Sequence, residues 1–435
     1  MKELLSKISR YLIIAATIGL GVSYGKIYLF HIVLIPFIVL VLFNKQVITD
    51  AIGKVRTISF YHFFAIIFIW YALSIIWSAD KHASIYYLAY LTMGISIILA
   101  FKFGTNNSNS QLKILKILGI IFIIEIVISL LEGFTSFRYP ISPYSDFIVY
   151  FGRSLGYNKE LPANIIEGIK KTPTGFRWNP NDLATTMLMI LPFFIFYKNK
   201  FVKIAGIISI LIVIFLTGSR AVYFSLIILG IAYLALYLSK KQLLIHLIVI
   251  FSIGALLYLG LSFKQTSFSN RITDISTTIE TAKVFISEDH EVVNDTSSIT
   301  IRQNLIKNGV TTLKSTYGIG VGGGNSNRIH TQEGMKNTHK ITSMHNFWIE
   351  ILVEGGVFIL FIFMIWYFTM FFKLYKISKT SKNIDISYFA KAGSLSLIGF
   401  FIGVMSLSSA IYFFPMWLLF GFNLATIYNY KNSIE

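Results

Sequence analysis

The sequence predicts an all-α polytopic membrane protein with about twelve transmembrane helices and two long extracytoplasmic loops. Its 435 residues are 55% hydrophobic and only 13% charged, and the mean hydropathy is +0.67. A soluble globular protein carries about twice that share of charged residues. Long apolar runs alternate with short loops rich in lysine. Composition, run length and charge placement therefore all indicate helices that cross a bilayer.

The apolar runs are long enough to cross a membrane as helices, which takes roughly 20 residues each. We place them at residues 8–24, 27–43, 59–77, 85–101, 114–132, 183–197, 201–217, 221–238, 242–263, 347–372, 387–409 and 411–429. Gly19, Gly21 and Gly25 interrupt the first run. No small-residue cleavage site follows it, so we expect a retained helix and not a signal peptide.

Basic loops orient this bundle. Lysine or arginine residues precede the first run and follow runs two, four, six, eight and ten. Since basic loops stay in the cytoplasm, we expect both termini there. The predicted divisions are 1–132 for helices one to five, 133–182 for the first extracytoplasmic loop, 183–263 for helices six to nine, 264–346 for the large extracytoplasmic loop and 347–435 for the last three helices.

Composition also excludes several kinds of site. The chain has no cysteine, so disulfides, thiolate catalysis and Cys-ligated zinc are excluded. Its 38 Lys and Arg outnumber its 20 Asp and Glu, but they lie between apolar runs and form no soluble basic face. Nucleic acid is therefore not an expected partner. No external cluster of His and carboxylates has metal-ligand spacing, so we expect neither a metal nor another cofactor.

Arginine is distributed differently from lysine. Seven of the nine arginines lie on the predicted outer face: Arg138, Arg153, Arg177, Arg220, Arg271, Arg302 and Arg328. A guanidinium stays charged and bonds phosphate or carboxylate through two parallel hydrogen bonds, so this set indicates an anionic or phosphorylated ligand. The competing interpretation is that these are ordinary surface residues, above all Arg138, Arg271 and Arg328.

Arg220 follows Ser219 in a very short external turn between runs seven and eight. A charge so close to hydrocarbon is costly unless it is paired or used. The helix that begins near Ser219 would add backbone N–H donors beside the guanidinium, a combination suited to a pyrophosphate. Snorkelling to lipid head groups is the competing interpretation.

His345 and Asn346 open an apolar helix directly after the large polar segment. An imidazole can take a proton near neutral pH, so His345 is a candidate acid–base group. A simple helix cap is the competing interpretation of this pair. Glu350 and Glu354 share one face of the same helix, and we expect them, like Glu125 of run five, to face the bundle interior, paired or protonated.

Three loop segments point to the same outer face. In Thr174–Asp182, Asn181 or Asp182 is predicted to cap helix six while Arg177 projects over a cavity entrance. The segment 300–306, which carries Arg302, is predicted to form a short amphipathic helix. The run 318–324 is rich in glycine, but no strand precedes it as a dinucleotide fingerprint requires, so we interpret it as a flexible lid or a close-approach loop.

Four of these features occur together in one order that resembles the bacterial O-antigen ligase and O-antigen polymerase family. They are Ser219-Arg220 at a helix start, Arg302 in an external loop, Gly318-Ile319-Gly320, and His345-Asn346 with Glu354 and Gly356. The resemblance covers roughly residues 170–370. It implies a GT-C-like glycosyltransferase architecture and metal-independent, inverting transfer from a polyprenyl-pyrophosphate-linked glycan, at the outer face of the bacterial cytoplasmic (inner) membrane.

The resemblance also implies roles for individual residues. His345 would orient or deprotonate the acceptor hydroxyl, and Arg220 and Arg302 would stabilise the departing pyrophosphate. The residues expected to contribute to substrate binding are Arg177, Ser219, Asn346 and Glu354. Ala221 stands where many relatives have glycine, which puts only the local packing in doubt.

Three functions remain open at this point. A polymerase would join lipid-linked repeat units into O-antigen or capsule, whereas a ligase would move the finished glycan to lipid A core or another carrier; we favour the polymerase. A transporter or flippase is the alternative of another class, but it should show matching halves and broken helices near the midplane. The expected partners are the lipid-linked donor, a glycan or lipid-linked acceptor, membrane lipid, and proteins of polysaccharide export or chain-length control.

Overall fold

Long apolar helices form most of the regular structure. The computed structural model describes residues 1–43, 60–238, 298–409 and 411–433. The helices are α1 (Lys2–Ile18), α2 (Leu29–Leu42), α3 (His62–Ser74), α4 (Lys81–Gly104), α5 (Ser108–Phe134), α6 (Ala163–Lys170), α7 (Pro180–Ile195), α8 (Lys200–Thr217), α9 (Arg220–Tyr237), α10 (Ser298–Ser315), α11 (Ser326–Ile329), α12 (Phe347–Thr380), α13 (Ile384–Gly403) and α14 (Phe414–Asn432). Within these ranges, strand is limited to one antiparallel pair, β1 (Ser23–Tyr24) and β2 (Ile27–Tyr28).

The predicted fold class is confirmed, while the count of twelve spans stays a prediction. Every predicted run except the ninth overlaps one of these helices; the ninth, 242–263, lies outside the described residues. Among the described helices, seven are long and apolar enough to cross a bilayer: α1, α4, α5, α8, α9, α12 and α13. The shorter apolar helices α2, α3 and α7 accompany them.

The first predicted run ends earlier than its hydropathy indicates. Gly19 adopts a φ of 54°, a left-handed value that stops α1 at Ile18. A short 3₁₀ turn, Gly19–Gly21, and the β1–β2 hairpin then lead into α2. Apolar residues continue through this turn, which is why hydropathy alone does not locate the helix end.

Asparagine side chains set the start of several helices. The capping residues are Asn107 for α5, Asn179 for α7, Asn199 for α8, Asn346 for α12 and Asn383 for α13. The predicted cap of α7 by Asn181 or Asp182 is therefore wrong. Asn179 accepts the N–H of Asp182 at 2.9 Å, and Pro180 occupies the first helical position. Proline favours that position because its fixed φ suits a helix and its missing N–H would have no helical partner.

Aromatic packing fixes the orientation of α12, the helix that follows His345. Its Trp366 stacks on Phe63 of α3 with ring centroids 4.6 Å apart. In its first turn, Trp348 is buried and donates its indole N–H to the carbonyl of Phe401 on α13 at 2.8 Å. The start of α12 is therefore anchored to the bundle, and this anchor positions the segment just before it.

A buried carboxylate fixes the end of the first long loop. Glu132, near the end of α5, accepts the backbone N–H groups of Thr174 at 2.8 Å and Gly175 at 2.9 Å. It also accepts the N–H of Tyr139 at 3.2 Å, and Arg138 lies 3.7 Å away. Both ends of this loop are thus bound to one side chain, which places the following residues against the bundle.

Candidate functional site

Two neighbouring residues just before α12 have different roles, one as a helix cap and the other as a candidate acid–base group. The side-chain oxygen of Asn346 accepts the N–H of Trp348 at 3.1 Å and that of Ile349 at 3.4 Å. Asn346 is the cap, and His345 precedes it with a φ of 47°. Residues other than glycine rarely adopt this left-handed backbone conformation, and where they do, the position is often a functional site. Capping therefore accounts for Asn346 and leaves His345 unexplained.

The imidazole of His345 is held in a neutral state. Burial, and then the charge of Arg302, lowers the pKa of His345 to about 4. The ring is consequently uncharged at neutral pH. Its Nδ1 is buried and has no hydrogen-bond partner among the residues that the structure describes. A neutral imidazole with an unpaired nitrogen can accept a hydrogen bond, or a proton, from a substrate hydroxyl.

Arg302 connects His345 to the turn between α8 and α9. It lies on α10 and is half-buried. Burial lowers the pKa of Arg302, and the charge of Arg220 lowers it further. Arg302 therefore interacts electrostatically with Arg220 as well as with His345. Three residues that are far apart in sequence come together in one cationic group.

Arg220 is the first residue of α9, and its side chain is exposed. Gly218 ends α8 with a φ of 66°, which makes the tight turn that the sequence indicated. Ser219 occupies the cap position, but its hydroxyl is buried and makes no hydrogen bond within the described ranges. The first backbone N–H groups of α9 thus lack this side-chain cap, and such groups at the start of a helix can bind an anion.

Arg177 lies apart from this cationic group. It is 5% exposed, and both its Nε and its Nη2 bond the carboxylate of Glu125 at 2.8 Å. Nη2 also donates to the carbonyl of Thr17 at 3.2 Å. The structure thus corrects the expected position over a cavity entrance: Arg177 lies in a cavity wall, and its guanidinium is held inside the bundle. The expected interior position of Glu125 is confirmed.

The glycine-rich run packs against a break in α12. Gly356 has a φ of 81° and a ψ of 176°, values that interrupt the helix. The freed groups bond the run instead: Val321 donates its N–H to Val353 at 2.8 Å, and Gly322 donates to Glu354 at 3.0 Å. A Cβ on Gly320 would lie 2.7 Å from the nitrogen of Gly356. The run is a close-approach segment, in which glycine is required by contact with another backbone.

The start of α4 holds the far end of the same run, an attachment that sequence reasoning missed. Asn325 accepts the N–H of Asp80 at 2.7 Å and donates to the hydroxyl of Ser84 at 2.9 Å. Ser84 in turn donates to the carbonyl of Gly323 at 2.9 Å. These partners are more than two hundred residues apart in sequence, and short polar residues in loops carry no signal of such pairing.

A cavity of about 360 Å³ lies where several of these segments meet. Its walls come from the turn after α1, the start of α7, the first turns of α12 and the start of α14. Arg177, Asp182, Glu350 and Glu354 line it, and so do Ser343 and Met344, which directly precede His345. Glu354 thus faces this cavity, where its Oε1 accepts the hydroxyl of Ser326 at 2.6 Å. Among the residues that the structure describes, no hydrogen bond or ion pair joins Glu354 to His345.

The described residues contain no group of three or more His, Asp and Glu side chains that could hold a metal ion. The cationic group offers guanidinium and backbone N–H donors instead. Fixed donors of this kind can stabilise developing negative charge in a site from which water is partly excluded.

Comparison with known proteins bears on the same residues. Residues 204–364, less than half of the chain, match the model of a family described as O-Antigen ligase. The chain is also similar to the teichuronic acid biosynthesis protein TuaE of Bacillus subtilis (strain 168), at 23% identity over 372 residues. The match covers 84% of this chain and 70% of TuaE. The resemblance to the O-antigen ligase and polymerase family is confirmed.

The family match has a definite position relative to the site. It includes Arg220, Arg302, His345 and Glu354 and ends within α12. It excludes Arg177 and its partner Glu125. The O-antigen ligase family and the similarity to TuaE support a role in surface polysaccharide biosynthesis.

Proposed function

We propose that this protein is a membrane glycosyltransferase that polymerises surface polysaccharide from lipid-linked glycan units. The observation that carries the proposal is the electrostatic interaction of Arg302 with both Arg220 and His345. This arrangement combines two cations, which suit a pyrophosphate, with a neutral imidazole, which suits a hydroxyl. The basic loops favour the outer face of the cytoplasmic membrane for this site, with both termini in the cytoplasm.

The reaction forms one glycosidic bond and breaks another bond at the same carbon. The acceptor hydroxyl oxygen attacks the anomeric carbon of the donor, and the bond from that carbon to the polyprenyl pyrophosphate breaks. His345 receives the hydroxyl proton, and Arg220 and Arg302 stabilise the negative charge on the departing pyrophosphate. Attack from the side opposite the leaving group inverts the anomeric configuration. The positive charges act where a metal ion acts in other glycosyl transfers.

The low pKa of His345 fits this sequence of events. Burial, and then the charge of Arg302, lowers that pKa. A bound pyrophosphate places negative charge beside both residues and therefore raises the pKa of His345 toward neutrality. The imidazole becomes a better base once the donor is bound, which couples proton transfer to donor binding.

The second candidate is a ligase that transfers a finished glycan to a different carrier, such as lipid A core. It is favoured by the description of the matching family, O-Antigen ligase. The similarity to a protein named for teichuronic acid biosynthesis favours assembly of a polymer. Both candidates use the same donor chemistry and differ only in the acceptor.

A transfer assay with purified full-length protein in lipid nanodiscs tests the proposal. The sole substrate is a polyprenyl-pyrophosphate-linked repeat unit, and the products are resolved by length on a gel. A ladder of longer lipid-linked chains is expected for the polymerase. Transfer that requires an added second carrier would indicate the ligase, and the absence of transfer to either acceptor would contradict both.

A further inference from the structure

The cavity beside the cationic group differs from it in both charge and chemistry. Three carboxylates line it, on Asp182, Glu350 and Glu354, together with the aromatic rings of Trp178 and Tyr412. We propose that this cavity binds one sugar ring that carries hydroxyl or amino groups and no carboxylate. The assignment of that ring as the acceptor rests on the proposed function.

Carboxylate geometry is the first support for a polar ligand. Glu354 is 1% exposed, and its Oε1 is occupied by Ser326. Its Oε2 is buried, and although Tyr87 lies near this carboxylate, Oε2 has no hydrogen bond of ordinary geometry within the described ranges. A buried carboxylate oxygen without a partner is destabilising, so a hydroxyl or amino group in the cavity would complete its bonding.

Glu350 presents a second carboxylate on the same face, one turn earlier. Its Oε1 accepts the hydroxyl of Ser409, which also lines the cavity. This bond orients the carboxylate from the segment that precedes α14. Two carboxylates four residues apart on one helix face can bond adjacent substituents of a pyranose ring, because carboxylate oxygens accept hydrogen bonds in several directions.

The charge of the lining disfavours an anionic ring. Among the described lining residues Arg177 is the single cation, and Glu125 already neutralises it through two bonds of 2.8 Å. The guanidinium of Arg153 packs on the ring of Trp178 at 5.4 Å and donates its Nε–H to the carbonyl of Gly25 at 2.6 Å, but Arg153 does not line the cavity. A uronate in the cavity would therefore lie among carboxylates, and the one cation of the described lining is already paired.

Shape and aromatic surface indicate a single ring. A volume of about 360 Å³ is near the lower limit of ordinary ligand sites and is small for a long oligosaccharide. Trp178 and Tyr412 are 44% and 47% exposed, and such rings offer apolar faces for the C–H side of a sugar. The polar edge of the ring would then be left for the carboxylates.

The position of the cavity fits an acceptor more closely than a donor. Ser343 and Met344 line it and lead directly into His345. Arg220, Arg302 and His345 are not among the lining residues. A sugar in this cavity would thus reach the imidazole through one hydroxyl, while the pyrophosphate of the donor binds outside it.

The test measures binding of soluble sugars to the full-length protein in nanodiscs by saturation-transfer NMR. The probes are methyl glucoside, methyl glucosaminide and methyl glucuronide, which share a ring and differ in charge. We expect the two rings without a carboxylate to bind about tenfold or more tightly than the glucuronide, the effect of one hydrogen bond to a charged group. Equal binding of the glucuronide would overturn the proposal.

Substitutions of residues that line the cavity test whether the sugars bind there. Glu350→Gln should reduce the preference against glucuronide, and Tyr412→Ala should weaken all three probes. Glu333→Gln, an exposed carboxylate outside the cavity, is the matched control and should change neither. Unchanged probe binding in both cavity variants would show that the sugars bind elsewhere and would overturn the proposal.

Binding of inorganic pyrophosphate keeps this inference separate from the proposed function. Glu350→Gln should retain pyrophosphate binding, which also shows that the variant is folded. If Arg220→Ala leaves pyrophosphate binding unchanged while sugars still bind as expected, the proposed function fails and the sugar site stands. If Arg220→Ala loses pyrophosphate binding but no sugar binds, the sugar site fails alone.

Discussion

Glu125 and Arg177 form a two-point ion pair inside the helix bundle, although they are 52 residues apart in sequence. Glu125 is fully buried in the second half of α5, and Arg177 lies near the end of the first long loop. Because Arg177 also bonds the carbonyl of Thr17, the pair joins α5, the loop and α1. Burial removes water from both charges, so each is strongly destabilising unless its partner is present.

We therefore expect Glu125→Ala to destabilise the protein by about 3–5 kcal/mol, since it leaves an unpaired buried guanidinium. The double variant Glu125→Leu/Arg177→Met removes both charges and should be less destabilised than that single variant. Thermal unfolding of the purified proteins in one detergent measures the difference. If the double variant is less stable than Glu125→Ala, the two charges contribute to stability through interactions other than their own ion pair.

The second prediction separates His345 from its neighbour. His345→Ala should reduce transfer by about 10²–10⁴-fold, because an acid–base group is lost. Asn346→Ala removes two capping bonds and should lower stability by about 1 kcal/mol. Transfer is measured by gel under saturating donor, and stability by thermal unfolding. Wild-type product levels from His345→Ala, with normal membrane insertion, would leave the proposed mechanism without its base.

The alternation of apolar runs and lysine-rich loops predicts the helices, because lipid imposes length and composition on each span. The same pattern could not locate helix ends. Pro180 explains the start of α7 only after Asn179 is seen to cap it. The sequence predicts a short helix at 300–306, whereas α10 extends from Ser298 to Ser315.

Contacts between residues far apart in the chain cannot be predicted from the sequence for a different reason. The motif order predicted a shared role for Arg220, Arg302 and His345, and the structure brings them together. Nothing in the sequence paired Arg177 with Glu125 in preference to a ligand, since a guanidinium bonds a carboxylate and a phosphate equally well. Only the position of α5 beside the loop decides that contact.

The third prediction concerns pH. His345 has its pKa lowered from 6.5 to about 4, so the folded protein binds fewer protons there than the unfolded chain. Its contribution to stability is complete above pH 6.5 and declines as the pH falls toward 4. The pH dependence of kcat/KM reports the pKa of His345 in the enzyme before the donor binds. Arg302→Gln removes the charge that, together with burial, lowers this pKa. The fall of kcat/KM at acid pH should therefore move to higher pH in this variant. If the fall of kcat/KM at acid pH occurs at the same pH in Arg302→Gln as in the wild type, a group other than His345 causes it.

Topology is the basis for placing the site outside the cytoplasm. The absence of cysteine allows single labels: Gln332→Cys, exposed in the segment before His345, and Lys382→Cys, exposed between α12 and α13. An impermeant maleimide should label the first in intact cells and the second only after the membrane is opened. The two positions precede and follow α12 in the sequence and serve as controls for each other. The reverse pattern would place the cationic group in the cytoplasm and exclude the proposed donor geometry.

The last prediction tests whether guanidinium groups alone serve the leaving group. Arg220→Lys keeps a positive charge but loses the planar fork, so donor binding and transfer should both fall although the net charge is unchanged. The matched control is Arg328→Lys, an exposed residue outside the cavity lining, which should behave as the wild type. Because the two guanidinium groups supply positive charge to the leaving group in this mechanism, transfer should also continue in EDTA. Loss of transfer that Mg²⁺ or Mn²⁺ restores would show that the arginines do not neutralise the pyrophosphate by themselves.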